Sequence, residues 1–254
     1  MKRSLALISL VFLAFAFQIQ AQKNRRPQII TKKPVAAQPP RENMNTAIVV
    51  DERLAVLRSE PSLYAMPVQR MRRGRILAIS GSKEADGVTF YRVIIPPSNY
   101  AWVQSEAVVG KFRRGDEERL ARLIQASEGF DQIERAMLFL GNFPQSQLRP
   151  AMLLLTGDLI ESNAQKISLE AAKKLDKREM SASGAPIHSF YLNYVSLDRF
   201  RKLGINFLFN PATRNFYYNG AAWKEIVEKF PKASESAEAQ KRLAALKEKM
   251  EQTK

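Results

Sequence analysis

The chain has 254 residues, with 40 Lys and Arg against 25 Asp and Glu, a formal net charge of +15, no cysteine and one histidine. This length suits one or two small domains. The absence of cysteine excludes a disulfide scaffold, a thiol nucleophile, a Cys-ligated zinc or iron–sulfur site and a cysteine-linked lipid, and a single histidine excludes a His-rich metal site.

Residues 1–21 have the pattern of a secretory signal peptide. Lys2 and Arg3 precede an apolar run from Leu5 to Phe17, and Ala21 is a small residue suited to a cleavage site. The run is shorter than the roughly 20 residues that a helix needs to span a bilayer. We therefore expect an exported protein, periplasmic or extracellular, soluble, not a lipoprotein, and without a transmembrane span after cleavage. The alternative is an uncleaved membrane anchor.

Residues 22–44 form a basic, Pro-rich segment that we interpret as a linker. It contains four prolines and six Lys or Arg residues. Proline disfavours helix, and the low apolar content favours an extended tether. The alternative is a segment that lies on an anionic envelope surface. Because residues 1–44 contribute +7 of the net charge, the high overall charge does not by itself indicate a nucleic-acid partner, and we expect none.

Residues 45–110 show short β-rich segments separated by turn residues. Strands are predicted at Ala47–Val50, Leu54–Arg58, Arg75–Ser80, Val88–Ile95 and Tyr100–Gln104, with Gly74, Gly81 and Asp86-Gly87 at the reversals. Several short strands at this spacing predict a small β-barrel.

The order of motifs in this region resembles the bacterial SH3 (SH3b-like) family. The motifs are Leu57-Arg58-Ser59-Glu60-Pro61-Ser62, a basic turn that ends at Arg73-Gly74, Phe90-Tyr91-Arg92-Val93 and Ala101-Trp102-Val103. The sequence departs from the family at Ala101, where glycine is usual, and in the loop at 96–99. The resemblance implies an SH3-like β-barrel that binds cell-wall material or peptide.

Two sets of residues are candidates for that binding. The first is an aromatic platform, because flat rings stack on sugars or prolines; its members are Tyr64, Phe90, Tyr100 and Trp102. The second is a basic hairpin that holds an anionic polymer or a carboxylate, with Arg72, Arg73 and Arg75 as its members. The alternatives are that Phe90 and Trp102 belong to the core, and that the arginines form a solvated turn.

Residues 115–254 have helical periodicity. Helices are predicted from Asp116, over Phe130–Asn142, Gln147–Ser162, Ile167–Met180 and Ala222–Phe230, and over Glu235–Glu251. The recurrence of Phe-Pro before an Ala-rich helix, at Phe143-Pro144 and Phe230-Pro231, resembles divergent TPR-like repeats. The resemblance implies a helical-hairpin domain that contacts an envelope protein, and the alternative is an unrelated helical bundle. The predicted fold class is therefore multidomain α+β, with a small SH3-like β-barrel followed by this α-helical domain.

Residues 181–219 form an aromatic-rich insertion, with nine of the 23 aromatic residues. We take Phe216, Tyr217 and Tyr218 as a candidate partner surface. The alternative is that these rings fill a joint between packed elements.

No motif indicates a reaction. The sequence contains no G-x-S-x-G, P-loop or G-x-G-x-x-G pattern, and His188 has no evident catalytic partner. We expect no enzyme, no cofactor and no metal. The function predicted from the sequence is an exported, non-catalytic binding or scaffold protein of the bacterial cell envelope, and the alternative is a cell-wall-processing enzyme or its accessory subunit, with carboxylates at unlocated positions.

Overall fold

The computed structural model describes residues 45–95 and 99–251. The predicted signal peptide and linker lie outside these residues. The described residues belong to one compact unit, Pro40–Lys254. None of the helices in this part of the chain combines the length and hydropathy that a membrane-spanning helix requires.

The first half of the described chain is a seven-stranded antiparallel sheet. Its strands are β1 (Asn45–Val49), β2 (Val56–Arg58), β3 (Pro67–Arg70), β4 (Ile76–Ala85), β5 (Val88–Ile95), β6 (Asn99–Gln104) and β7 (Val108–Val109), in the spatial order β3-β2-β6-β5-β4-β1-β7. A short 3₁₀ turn, Ser105–Ala107, leads from β6 into β7.

The second half is mostly helical. Its elements are α1 (Asp116–Gln125), α2 (Gly129–Asn142), α3 (Arg149–Lys174), α4 (Lys177–Ala182), α5 (Ile187–Leu192), α6 (Asp198–Arg201), the hairpin β8 (Phe207–Asn210) and β9 (Asn215–Tyr218), α7 (Ala221–Lys229) and α8 (Ser236–Glu251). The α+β class predicted from the sequence is confirmed. Within the described residues, no hydrogen-bonded ladder joins the outer strands β3 and β7, so the expected barrel is not closed. These outer strands are only four and two residues long.

The elements of the helical half differ from the predictions mainly at two places. In the aromatic-rich insertion, α5, α6 and the β8–β9 hairpin occur where the sequence predicts no element. The predicted helices at 147–162 and 167–180 are a single helix of 26 residues, α3, followed by the short α4. The polar residues in its middle do not end the helix, because their side chains bond back to the preceding turn. Asn163 Nδ2 donates to the Leu159 carbonyl at 2.8 Å, and Ser168 Oγ donates to the Ala164 carbonyl at 2.8 Å.

Three clusters of buried side chains hold the fold together. One lies within the sheet around Val93 and Val103, one joins the sheet to α1 and α2, and one lies among α3, the β8–β9 hairpin, α7 and α8. The middle cluster brings Ile48, Val50 and Val109 of the sheet region against Leu120 of α1 and Phe139 of α2. The two halves of the chain therefore share a core.

The close approach of α3 and α7 generates a stability prediction. A Cβ atom on Gly157 of α3 would overlap the buried indole of Trp223, whose Cε2 atom would lie at 2.7 Å. We expect Gly157→Ala to lower the free energy of unfolding by about 1–3 kcal/mol through overpacking. The matched control is Gly141→Ala in α2, where nothing lies within 4 Å; it should leave stability unchanged or raise it by up to about 1 kcal/mol. Urea unfolding followed by circular dichroism measures both, and equal stability of the two variants would contradict the prediction.

Candidate functional site

Strands β5 and β6 place an arginine and two aromatic residues on one face of the sheet. Arg92 lies opposite Trp102 in the β5–β6 register, and Tyr100 is two residues before Trp102 on the same strand. Successive side chains of a strand point to opposite faces. Val93 and Val103 point into the core, so Arg92, Tyr100 and Trp102 point outward. In the β2–β6 pairing Trp102 also lies opposite Arg58. We call these four residues the aromatic–arginine face.

Two side chains of this face are in direct contact. The Arg92 guanidinium carbon lies 3.8 Å from the centroid of the Tyr100 ring, a cation–π contact that is worth about 0.5–1 kcal/mol at an exposed site. Tyr100 is 51% exposed, and Trp102 is half-buried beside it. Arg58 is fixed by a hydrogen bond from its Nη1 to the Ala65 carbonyl at 2.7 Å. The face therefore presents ring surfaces and guanidinium groups that are already ordered.

The predicted aromatic platform is only partly assembled. Tyr100 and Trp102 lie together, as predicted. Phe90 is completely buried, which corrects its assignment as a ligand-stacking residue: its ring belongs to the packed interior. Tyr64 is 90% exposed, and among the described residues it makes no ring contact with Tyr100 or Trp102.

The loop that carries Tyr64 is fixed by Asp86 at the β4–β5 turn. The Asp86 carboxylate accepts hydrogen bonds from Ser62 Oγ and from the Leu63 amide, both at 2.7 Å. These bonds lower the pKa of Asp86, the bond from Ser62 most strongly. Two segments that are more than twenty residues apart in sequence are held together in this way, and the exposed Tyr64 ring stands on an ordered loop.

The three arginines of the basic hairpin have different surroundings. Arg72 and Arg75 are exposed. Arg73 points toward α2, where Nη2 donates to the Asp131 carboxylate at 2.9 Å and Nη1 pairs with Glu134. Its side chain is only 7% exposed. The prediction that Arg73 binds an anionic ligand is therefore corrected, because α2 already supplies its anions.

A charged cleft of about 420 Å³ lies at this junction. Besides Arg73, it is lined by Asp51, Arg53, Asp131 and Arg135. Arg135 donates from Nε to the Val50 carbonyl at 3.2 Å and from Nη1 to Ser127 Oγ at 2.6 Å. Burial, and then the charge of Arg73, lower the pKa of Arg135. Burial also lowers the pKa of Arg73, but the bonds and charges of its two carboxylate partners outweigh burial and raise it.

Two carboxylates of the cleft, Asp51 and Asp131, have lowered pKa values. The hydrogen bond from Arg73 lowers the pKa of Asp131, and the hydrogen bond from Arg53 lowers the pKa of Asp51. A carboxyl group that protonates a glycosidic oxygen needs a raised pKa. The contacts of these two groups instead fit ion pairing within the protein.

The predicted partner surface in the aromatic insertion is part of the core. Phe216, Tyr217 and Tyr218 are at most 7% exposed, so the assignment of these rings as a partner surface is corrected in favour of packing. The reason is that β9 lies along α3. The Phe216 amide donates to Ser168 Oγ at 2.8 Å, and the Tyr218 hydroxyl accepts from the Ala222 amide at 2.8 Å.

His188 is exposed on α5, and no group of three or more His, Asp or Glu residues that could hold a metal ion occurs between 45 and 95 or between 99 and 251. No family model, curated protein or solved structure matches the chain.

The position of Arg73 generates a prediction about stability. We expect Arg73→Met to lower the free energy of unfolding by about 2 kcal/mol, because it removes charge-assisted hydrogen bonds to Asp131 and Glu134. The neighbouring Arg72 is exposed, and Arg72→Met should change stability by no more than about 0.5 kcal/mol. Thermal and urea unfolding measure both variants. Equal losses of unfolding free energy in the two variants would contradict the prediction.

The lowered pKa of Asp131 makes part of this stability dependent on pH. An acid whose folded pKa lies below its unfolded value stabilises the folded state above the unfolded pKa, and the contribution is lost as the pH falls through the folded pKa. We therefore expect the difference between wild type and Arg73→Met to be constant from pH 7 to about 5 and to shrink below about pH 4. Urea unfolding at a series of pH values tests this. A difference that persists undiminished at pH 2 would mean that Asp131 is not the stabilising partner.

Proposed function

We propose that this chain is an exported, non-catalytic binding protein of the bacterial cell envelope. Its strand region contacts cell-wall material or a wall peptide through the aromatic–arginine face. The observation that carries the proposal is the ordered arrangement of Arg92 against the Tyr100 ring, with Trp102 alongside on the outer face of the sheet.

The chemistry of this face suits a ligand with both ring-stacking surface and negative charge. Exposed aromatic rings stack on the flat faces of sugars or on proline and peptide surfaces with little loss of conformational entropy. A guanidinium group binds a carboxylate or phosphate through paired hydrogen bonds. Wall peptides and wall polymers carry both kinds of group, so Arg92 and Arg58 would recognise the charge while Tyr100 and Trp102 hold the ring or chain.

The positions of the SH3b-like motifs on the strands support an SH3-like fold for the strand region. Leu57-Arg58 lies in β2, Phe90-Tyr91-Arg92-Val93 lies in β5, and Ala101-Trp102-Val103 lies in β6. All the strand pairs of this sheet are antiparallel. The export signal predicted in residues 1–21 supports a location in the periplasm or outside the cell, and the absence of cysteine supports a chain without a lipid anchor.

For the helical region we propose a protein partner and a TPR-like organisation. Successive helices contact one another, α1 with α2, α2 with α3, and α7 with α8, while α3 also contacts α7 across the insertion. The side chains available to a partner are the exposed apolar residues, such as Leu169 on α3 and Val195 before α6, which are 66% and 72% exposed. The hydrogen bond between Ser196 and Glu170, at 3.3 Å, brings the neighbourhoods of these two residues together.

Co-sedimentation with purified peptidoglycan tests the function of the strand region. The chain from Gln22 onward should still bind at a salt concentration that screens the linker, because the ring contacts of the face are not Coulombic, although the charged contacts of Arg92 and Arg58 become weaker. Trp102→Ala and Arg92→Ala should each weaken retention about tenfold or more, as expected for loss of about 1.4 kcal/mol. Lys166→Ala, which removes an exposed charge on α3, should leave retention unchanged. Retention that is insensitive to both substitutions on the face would reject this binding site.

A muropeptide-release assay on the same chain tests the non-catalytic part of the proposal. We expect no soluble product above the background of peptidoglycan alone. Turnover that scales with protein concentration and is lost on substitution of a carboxylate would establish the enzyme alternative instead.

A further inference from the structure

Strand β3 forms an open edge of the sheet and is exposed along its whole length. It pairs with β2 on one side only, and each of its four residues, from Pro67 to Arg70, is exposed. An edge of this kind presents backbone donors and acceptors that can pair with another extended chain.

The hydrogen-bond register shows which backbone groups of β3 are free. The Met71 amide donates to the Ala55 carbonyl at 2.9 Å, and Leu57 lies opposite Gln69. Gln69 and Met71 therefore direct their backbone groups toward β2. Because these directions alternate along a strand, the N–H and C=O groups of Arg70 point away from the sheet. The register shifts between Leu57 and Arg58, which leaves Val68 as an extra residue without a partner on β2.

A stripe of apolar side chains accompanies this free edge. Tyr64, Met66 and Val68 alternate with other residues along the loop and the strand, and their exposed fractions are 90%, 73% and 56%. Monomeric proteins usually protect an edge strand with charges or with a covering loop. Strand β3 is short and begins at Pro67, yet three large apolar side chains beside it are uncovered, which is the pattern of a site that is covered when a partner binds.

The charge at the end of the edge selects the kind of partner. Arg70, Arg72 and Arg75 are exposed, and within the described residues none of them forms an ion pair. A second copy of this chain would bring a further set of arginines to the same place. An acidic segment would instead neutralise them, and guanidinium groups pair well with carboxylates.

We propose that the free edge of β3 binds an acidic, extended segment of a partner protein, which adds to the sheet as a further strand. The partner's backbone pairs with Val68 and Arg70, its apolar side chains contact Tyr64, Met66 and Val68, and its carboxylates pair with Arg70 and Arg72. This site uses the backbone edge of β3 and not the ring surfaces of Tyr100 and Trp102, and it does not depend on a location in the cell envelope.

A fluorescent peptide of about eight residues with alternating valine and glutamate is the probe for this site. Fluorescence anisotropy with the full chain should show saturable binding. A peptide with lysine in place of glutamate, and one with N-methyl groups along one backbone edge, should bind at least tenfold more weakly. Equal binding of the N-methylated peptide would overturn the proposal, because strand addition requires backbone hydrogen bonds.

The decisive variant is Val68→Pro. Proline removes the amide of residue 68, which has no partner on β2 in the strand register, and proline is tolerated on edge strands and at bulges. We expect about a tenfold loss of affinity or more, with Val68→Ala, which keeps the amide, within about threefold of wild type. Circular dichroism checks that the proline variant is folded. Unchanged affinity of a folded Val68→Pro variant would overturn the proposal.

Two further measurements do not depend on that variant. The double substitution Arg70→Glu with Arg72→Glu should abolish binding of the glutamate peptide and create binding of the lysine peptide. In NMR spectra of the unsubstituted chain, the Val68 and Arg70 amides should become protected from solvent exchange when the peptide binds, whereas the Gln69 amide is protected throughout. Strand addition by an acidic partner is contradicted if either amide fails to gain protection. It is also contradicted if Arg92→Ala loses binding of the peptide. Dimers of the chain that Val68→Pro dissociates would show that a second copy occupies the edge instead.

Discussion

The strand and helical regions are joined by arginine side chains that reach backbone carbonyl groups at the end of the sheet. Arg135 of α2 and Arg73 of the hairpin both donate to the Val50 carbonyl, at 3.2 and 3.3 Å, and Arg119 of α1 donates to the carbonyls of Glu106, at 2.9 Å, and of Val108. These bonds surround the shared core of the sheet, α1 and α2. A buried carbonyl without a donor costs about 1–3 kcal/mol, so separation of the two regions would lose bonds and apolar contact at once. This junction therefore fixes the position of the sheet relative to α1 and α2.

The sequence predicts the regular parts of this fold where one physical signal dominates. The β-branched and aromatic run at Val88–Ile95 is a strand with the predicted bounds, and the acidic first turn at Asp116 begins α1. Strand β3 was missed, because Pro67 and the polar residues Gln69 and Arg70 carry no strand signal of their own. Its conformation comes from pairing with β2. The continuity of α3 through Asn163 was missed for a similar reason, since polar residues end a helix only when their side chains find better partners outside it.

The predicted binding residues show the same limit of prediction from sequence, here for single side chains. Alternation along β6 was enough to place Tyr100 and Trp102 on one face. Alternation does not predict the burial of Phe90. It assigns a side chain to one face of the sheet, but whether that face is covered depends on segments that are distant in sequence. Arg72 and Arg73 are adjacent and chemically identical, yet one is exposed and the other is buried. The difference is made by Asp131 and Glu134, which lie 58 and 61 residues further along the chain.

The arginines of the strand region fall into two groups, those that stabilise the fold and those that are available to a ligand. The guanidinium groups directed toward the helices have carboxylate or carbonyl partners, and they neutralise charge inside the molecule. Arg70, Arg72 and Arg75 are exposed and, in the described chain, form no ion pairs, while Arg92 faces outward and stacks on Tyr100. A positive charge that the fold does not neutralise raises the local concentration of anions and favours an anionic ligand. The proposed acidic partner depends on this unneutralised charge, whereas the stability of the fold depends on the paired arginines.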